Sequence, residues 1–225
     1  SISQNITFTP YTVNMVSTNL DLEDNNISSI LSDVDVLIAS NDGGAYYVPG
    51  FGVDQIGELD PTRGFTCFTS SGDIQYSELE GLPIDLSQSI TINPFQVNLI
   101  SYLPQECMST DDVFAGYEDQ ILLVQDDMGR YFVPSFGVMT LTEMCPGDGY
   151  SIFLSGANGF DFTYPMGGAA RSAASLSWES YNEASASVMY ADDIVKTGIS
   201  HPIILTSLEG MVESGDELVA YSNGT

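Results

Sequence analysis

The sequence predicts a mainly β protein, built of α+β modules, with two tandem repeats of about 84 residues and then a truncated β-domain. Three observations carry that prediction. Ser3-Gln-Asn-Ile-Thr-Phe-Thr-Pro-Tyr-Thr-Val-Asn14 returns without a gap as Ser87-Gln-Ser-Ile-Thr-Ile-Asn-Pro-Phe-Gln-Val-Asn98, identical at seven of twelve positions. Tyr46-Tyr-Val-Pro-Gly-Phe-Gly-Val53 returns as Tyr131-Phe-Val-Pro-Ser-Phe-Gly-Val138, identical at six of eight. Beyond it Pro61, Gly64, Phe65 and Phe68 match Pro146, Gly149, Tyr150 and Phe153, and the offset moves only from 84 to 85. Third, short apolar runs alternate with polar residues between Asn, Asp, Gly and Pro clusters, which is the pattern of half-buried strands. The expected organisation is repeat one at 1–83, repeat two at 84–165, a small-residue linker at 166–175 and a partial β-domain at 176–225.

Each repeat opens with two alternating segments, Ile6-Thr-Phe8 and Val13-Asn-Met-Val16 in the first, Ile90-Thr-Ile92 and Val97-Asn-Leu-Ile100 in the second. A short helix follows. In repeat one it is expected over 25–31 with Asp24 as its cap. In repeat two Ser109 or Thr110 is expected to accept a free first-turn N–H ahead of Asp111-Asp-Val-Phe-Ala115, whose acids suit the positive end of the helix dipole. Next come the apolar runs Val34-Asp-Val-Leu-Ile-Ala39 and Gln120-Ile-Leu-Leu-Val-Gln125. They lead into tight turns, Asn41-Asp-Gly-Gly44 and Asp126-Asp-Met-Gly129, whose residues tolerate positive φ, and then into aromatic return strands. A Pro-Gly turn and a last strand, at 64–69 and 149–154, complete the unit. After the Gly167-Gly-Ala-Ala-Arg-Ser-Ala-Ala174 linker, strands are expected at 185–190, 202–207 and 217–221. The closing turn Ser222-Asn-Gly-Thr225 has no returning strand, and Ser1 follows no initiator Met or signal peptide, so the polypeptide is expected to continue beyond both ends.

Composition narrows the function classes. Four basic against 31 acidic side chains give a formal charge of −27, with 43% hydrophobic and 11% aromatic residues. Those are globular values, since a disordered acidic chain lacks aromatics. Phosphate recognition needs clustered Lys and Arg, so nucleic acid is excluded as a partner and an anionic membrane surface is disfavoured. No run of 18 apolar residues is present, so no membrane insertion is predicted. A surface of one sign repels itself unless salt or divalent ions screen it, which suits a salty extracellular setting.

Of three cysteines, Cys67 lies in the aromatic run Phe65-Thr-Cys-Phe68 and reads as a small buried apolar residue. Cys107 and Cys145 sit beside turn residues within repeat two, bridged in an oxidising compartment or free in a reducing one. None of the three has metal-site spacing. The one histidine, His201, has no Gly-x-Ser-x-Gly elbow or catalytic cysteine context, so it reads as an ordinary loop residue. The acid pairs Asp111-Asp112, Asp126-Asp127 and Asp192-Asp193 could be glycosidase carboxylates, but solvated turns and helix starts explain them equally well. Asp54 and Glu58 align with Met139 and Glu143, so no acidic set recurs intact. The segment Gly50-Phe-Gly-Val-Asp-Gln-Ile-Gly57 lacks the spacing of a phosphate loop and reads as a turn. No cofactor is expected. Calcium alone has a physical case, because abundant carboxylate oxygens would gain from bridging, although no EF-hand loop is present. Asn5, Asn26 and Asn223 begin sequons that take N-glycans in a glycosylating secretory pathway. Tyr46-Tyr47 and Tyr131-Phe132 read as core rather than as a sugar-stacking face, because they alternate with valine in both repeats.

The pieces Val97-Asn-Leu-Ile-Ser101, Asp112-Val-Phe114, Ile121 to Gly129, Tyr131-Phe-Val-Pro134 and Gly149-Tyr150 occur in that order in repeat two. Repeat one has Val13-Asn-Met-Val-Ser17, Tyr46 to Pro49, Ile56-Gly57 and Gly64-Phe65. This order resembles a tandem β-rich repeat module of long secreted surface proteins, mainly of marine Bacteroidetes, also seen in marine viral and algal sequences. Those modules open with Gly-Trp-Asn-Leu-Ile-Ser, and neither repeat here has the Gly-Trp. Val212-Glu-Ser-Gly-Asp-Glu-Leu-Val-Ala-Tyr221 is similar to a β-segment that often follows such repeats. The resemblance implies extracellular display, at a cell or virion surface, and no enzymatic activity. The function expected is a non-enzymatic structural or adhesive protein, part of a surface-displayed or filament-forming array that associates with itself or with neighbouring subunits. The alternative is a carbohydrate-binding module of a secreted enzyme, for which exposed Tyr or Trp178 would stack on glycans.

Overall fold

Alternation sets the first strand: in β1 (Ile2–Phe8) Gln4, Ile6 and Phe8 point inward while Ser3, Asn5 and Thr7 face solvent. The computed structural model describes residues 1–165. The expected linker at 166–175, the domain at 176–225, and with them Trp178, His201 and Asn223, lie outside the described residues. Repeat one continues through β2 (Asn14–Val16), β3 (Leu20–Leu22), α1 (Ile27–Ile30), β4 (Val36–Ser40), β5 (Tyr46–Val48), β6 (Val53–Asp54), β7 (Phe65–Thr69) and β8 (Gln75–Pro83). These strands form two antiparallel sheets, β2-β7-β4-β5-β6 and β1-β8-β3.

Repeat two contains β9 (Ile90–Ile92), β10 (Asn98–Ser101), β11 (Met108–Ser109), α2 (Thr110–Val113), β12 (Ile121–Gln125), β13 (Tyr131–Val133), β14 (Val138–Met139), β15 (Glu143–Met144), β16 (Gly149–Leu154) and β17 (Phe160–Phe162). Its five-stranded sheet, β10-β16-β12-β13-β14, has the same order as that of repeat one. Registers match as well: Asn14 faces Cys67, and Asn98 faces Ile152 at the equivalent place. Even the irregularity recurs, between Val36 and Ile38 in β4 and between Ile121 and Leu123 in β12. The fold is therefore mainly β with few short helices. No helix among the described residues is long and apolar enough to cross a membrane.

Each repeat buries a core of its own. Ile6, Phe8, Leu20, Ile27, Phe65 and Cys67 lie at the centre of the first. The second centres on Tyr102, Phe114, Phe132, Tyr150, Phe162 and Tyr164. Each fully buried large side chain stabilises by about 1.5–3 kcal/mol. In core two the rings also meet edge to face, Tyr102–Tyr164 at 5.4 Å and Phe162–Tyr164 at 4.8 Å between centroids. Tyr164 donates its hydroxyl proton to the Ser101 carbonyl at 2.6 Å, so its own polar group is satisfied in the core, although the neighbouring Ser101 hydroxyl is buried without a partner.

Four local expectations need correction. Helix α1 is shorter than 25–31 and its cap is Asn26, whose Oδ1 accepts from the Ser28 N–H at 3.0 Å. Asp24 lies too far before the first turn. Its carboxylate accepts instead from the Ser29 hydroxyl and the Asn26 N–H, and those bonds hold it below the usual carboxylate range. Helix α2 has no side-chain cap: the Thr110 Oγ1 is buried without a partner, and the Thr110 N–H donates to the Thr142 carbonyl instead. Thr142 directly precedes β15, whose pairing with β11 holds that carbonyl in place of a cap. Each repeat also ends one strand later than expected, in β8 and β17, which return to pair with β1 and β9. Finally, Tyr46 is 40% exposed where its counterpart Tyr131 is half-buried, while Tyr47 packs against the first core and Phe132 is buried in the second. In repeat one, then, the first aromatic of the return strand faces water rather than the core.

Candidate binding surface

Two arrays of side chains could serve function: the seam between the repeats, and a pair of turns that display aromatic rings. At the seam, several bonds between the repeats come in matched pairs, whereas those from Asn19 to the Pro104 carbonyl and from Gln105 to the Asn19 carbonyl have no equivalent. The Asp42 carboxylate, in the β4–β5 turn, accepts from the Leu99 N–H of β10 at 3.0 Å. The Asp127 carboxylate, at the equivalent turn position, accepts from the Met15 N–H of β2 at 3.1 Å. Ser101 N–H donates to the Thr62 carbonyl at 3.0 Å, and Ser17 N–H to the Gly147 carbonyl at 2.9 Å. Single antiparallel bridges, Arg63 with Ile100 and Val16 with Asp148, join the two five-stranded sheets. Such reciprocity is the signature of an isologous, pseudo-two-fold contact that closes on itself. Gly64 and Gly149, matched in the sequence, are the points of closest approach: a Cβ on Gly149 would lie 2.9 Å from the Val16 carbonyl oxygen.

The halves of the seam differ in charge. Arg63 contacts the Asp42 carboxylate at 3.6 Å and donates from Nη2 to the Thr91 carbonyl at 2.6 Å. The residue equivalent to Arg63 is Asp148, so the second half sets Asp148 beside Asp127. Although Asp148 remains open to solvent on one side, partial desolvation and the nearby Asp127 charge push its carboxyl up to about 6. Asp127 is also raised, first by the same desolvation. Asp126 is buried and bound to the Arg130 guanidinium, and it accepts the Met128 and Arg130 N–H groups that shape its turn.

The second array comes from the two most similar segments. Tyr11 and Phe95 occupy matched positions with φ of 62° and 61°, a left-handed backbone that costs a non-glycine residue roughly 1–2 kcal/mol. Asn14 and Asn98 hold these turns. The Asn14 side chain accepts from Thr9 N–H and donates to the carbonyls of Thr9, Thr12 and Cys67. Asn98 repeats the pattern with Asn93, Gln96 and Ile152. The rings so presented are 81% and 88% exposed. Phe51 and Phe136, in the matched helical turns Pro49–Phe51 and Pro134–Phe136, are exposed too. An open groove of about 410 Å³ is lined by Phe95, Val97, Leu122, Phe153 and Leu154 together with Gln96 and Ser155.

The residues singled out from sequence are placed as follows. Cys107 and Cys145 are joined by a disulfide, with Cα atoms 4.2 Å apart. With Glu143 they form the one three-ligand group of metal-binding type among the described residues, but their sulfurs are committed to each other. Cys67 is fully buried, and burial pushes its thiol up to about 12, so it is inert. Asn5 is exposed on β1 opposite Glu78, and Asn26 is the α1 cap. Asp111 and Asp112 stand in the first turn of α2. Gly50 to Gly57 begins in the 3-10 turn Pro49–Phe51, closed by Gly52 in the left-handed region, and continues through β6. Sequence reasoning missed the seam and the aromatic turns. The signal for both was present in the repeated Pro-aromatic-x-Val-Asn and in the repeated glycine before the last aromatic strand. No protein-family model, curated protein or solved structure matches the chain.

Proposed function

We propose that this chain is a non-enzymatic, extracellular adhesive and structural protein whose repeats present aromatic turns to a neighbouring subunit of a surface assembly. The observation that carries the reading is the matched pair Tyr11 and Phe95, each exposed on a left-handed backbone. Core packing needs neither ring, and the strain would vanish with glycine, so retention in both repeats points to a contact made by the rings. The Cys107–Cys145 bond supports an oxidising compartment. Duplicated contacts raise avidity through effective concentration, which benefits adhesion and not catalysis. The test is sedimentation of the full chain in seawater-like salt beside the double variant Tyr11→Gly/Phe95→Gly. Concentration-dependent assembly of the parent and loss of it in a variant with an undiminished melting temperature is the expected result. A dispersed parent would overturn the reading.

A second reading, a carbohydrate-binding module, is favoured by the groove beside Phe95. A groove lined by aromatic and aliphatic side chains with a few uncharged polar groups is what a neutral sugar ring requires. A glycan array separates the two: binding abolished by Phe95→Ala, without assembly, favours the sugar.

A further inference from the structure

We propose that reduction of the Cys107–Cys145 bond uncovers a site for a soft divalent cation of the zinc class, held by both sulfurs and the Glu143 carboxylate. Strand alternation places the three ligands together. In the β11–β15 pair Met108 stands opposite Met144, and both pack against the second core. One step along the ladder, Ser109 and Glu143 face outward, and one step the other way so do Cys107 and Cys145. The cysteines, 38 positions apart in the chain, have Cα atoms 4.2 Å apart. Their sulfurs and a Glu143 carboxylate oxygen lie within 4.8 Å of one another. The frame around them does not depend on the sulfur bond. The Glu106 carbonyl, just before Cys107, accepts from the buried Tyr102 hydroxyl at 2.8 Å. The Cys145 N–H donates to the hydroxyl of the buried Tyr150 at 2.8 Å, and the Thr110 N–H donates to the Thr142 carbonyl at 3.1 Å. Those bonds keep the three side chains on one face when the link opens.

A dithiol reductant supplies the two electrons and two protons that turn the S–S bond into two thiols, and itself closes into a disulfide. The cation then displaces both thiol protons to solvent and binds two thiolates and a carboxylate. Zinc–sulfur bonds of about 2.3 Å set tetrahedral sulfurs about 3.8 Å apart, within reach of side chains opposed on neighbouring strands. Cys107 and Glu143 are exposed, which leaves the fourth position to water. Thiolates select this class of ion against calcium and magnesium, which prefer an all-oxygen shell. Sulfur bridge and metal exclude each other, so the same place clips β11 to β15 covalently when oxidised and through a cation when reduced. None of these residues belongs to the aromatic turns, so failure here leaves the adhesive reading to its own test.

The test compares the oxidised full chain with the same chain reduced by a dithiol that is then removed by gel filtration without air. Zinc is titrated against a chromophoric chelator, and cobalt serves as the optical probe. The reduced chain should take up zinc, show thiolate-to-cobalt charge-transfer absorption, and melt at a higher temperature with zinc than without. Cys67, fully buried in repeat one, cannot supply that absorption. The oxidised chain should show neither the absorption nor the shift. Glu143→Gln should weaken zinc binding to the reduced chain by about tenfold or more, since even an outer-shell partner is worth about tenfold. Absence of the cobalt absorption from the reduced chain, equal zinc affinity in both redox forms, or an affinity unmoved by Glu143→Gln would each overturn the proposal. So would a reduced chain that loses its fold and does not regain it with zinc, as read by circular dichroism.

Discussion

A methyl group on Gly149 would place its carbon 2.9 Å from the Val16 carbonyl oxygen, 3.1 Å from the Val16 nitrogen and 3.2 Å from its carbonyl carbon. All three are main-chain atoms of β2, which is held from its other side by pairing with β7. The strand cannot step aside alone, so Gly149→Ala must loosen the seam or distort the first sheet. Overpacking of this kind costs about 1–3 kcal/mol. Loosening weakens the Ser17 bonds to Gly147 and Asp148, at about 1 kcal/mol each. The smaller freedom of alanine in the unfolded chain returns about 0.4–1 kcal/mol. The net expectation is a loss of about 2–4 kcal/mol, of the size known for misfitted cores. Gly64→Ala should cost somewhat less. Its nearest contacts are Val16 and Ile100 carbonyl oxygens at 3.0 and 3.1 Å, but the third, Leu99 Cγ at 3.3 Å, belongs to a side chain that can turn. Gly50→Ala meets nothing within 4 Å and should stay within about 0.5 kcal/mol of the parent. Urea denaturation followed by circular dichroism reads all three. Equal midpoints for Gly149→Ala and Gly50→Ala would refute the close seam.

Further expectations concern other parts of the molecule. Asn98→Ala removes a side chain that bonds the Phe95 turn to itself and to β16, and should cost about 2–4 kcal/mol in chemical denaturation. Phe95→Gly should instead leave stability unchanged or raise it by about 1 kcal/mol, because it relieves the left-handed backbone and removes a ring that is almost wholly exposed. Cys107→Ser/Cys145→Ser opens a link across 38 residues and should lower stability by about 2–4 kcal/mol; a melt unaffected by both substitution and reductant would count against this. Cys67 should resist alkylation in the folded protein and react only after unfolding, as mass spectrometry would show. With a charge of −27, the melting temperature should climb from low salt to seawater-like salt, and a flat series would contradict that.

What could be read in advance was whatever local chemistry fixes. The Asn41-Asp-Gly-Gly44 and Asp126-Asp-Met-Gly129 turns, and the strands around them, follow from φ preferences and alternation within a few residues. The closing strand of repeat one was harder. β8 carries Glu78, Glu80, Gly81 and Pro83, residues that strands avoid, and it forms because β1 and β3 pair along both its edges. Caps failed for a related reason: Asp24 and Asn26 are equally good residues, and only the position of the first turn chooses between them. The seam was illegible because its partners, mostly main-chain groups and glycines with two turn carboxylates, lie some 35 to 131 residues apart. The exposed turns were missed because a Pro-aromatic pair between strands reads as core until the backbone shows the ring turned outward.

Each repeat offers its neighbour the same two patches that it receives. A polypeptide of one repeat would thus already own a whole seam, and it would find its partner in a second copy of itself. Joining such a homodimer into one gene releases a constraint: in a symmetric dimer every change is made twice, whereas in the fused chain each copy drifts alone. Arg63 and Asp148 record that drift, since a homodimer of repeat one would carry two Asp42–Arg63 contacts and one of repeat two would carry two carboxylate pairs. Growth of a longer chain by the same route would proceed in steps of two repeats, with any odd copy left holding an unsatisfied patch.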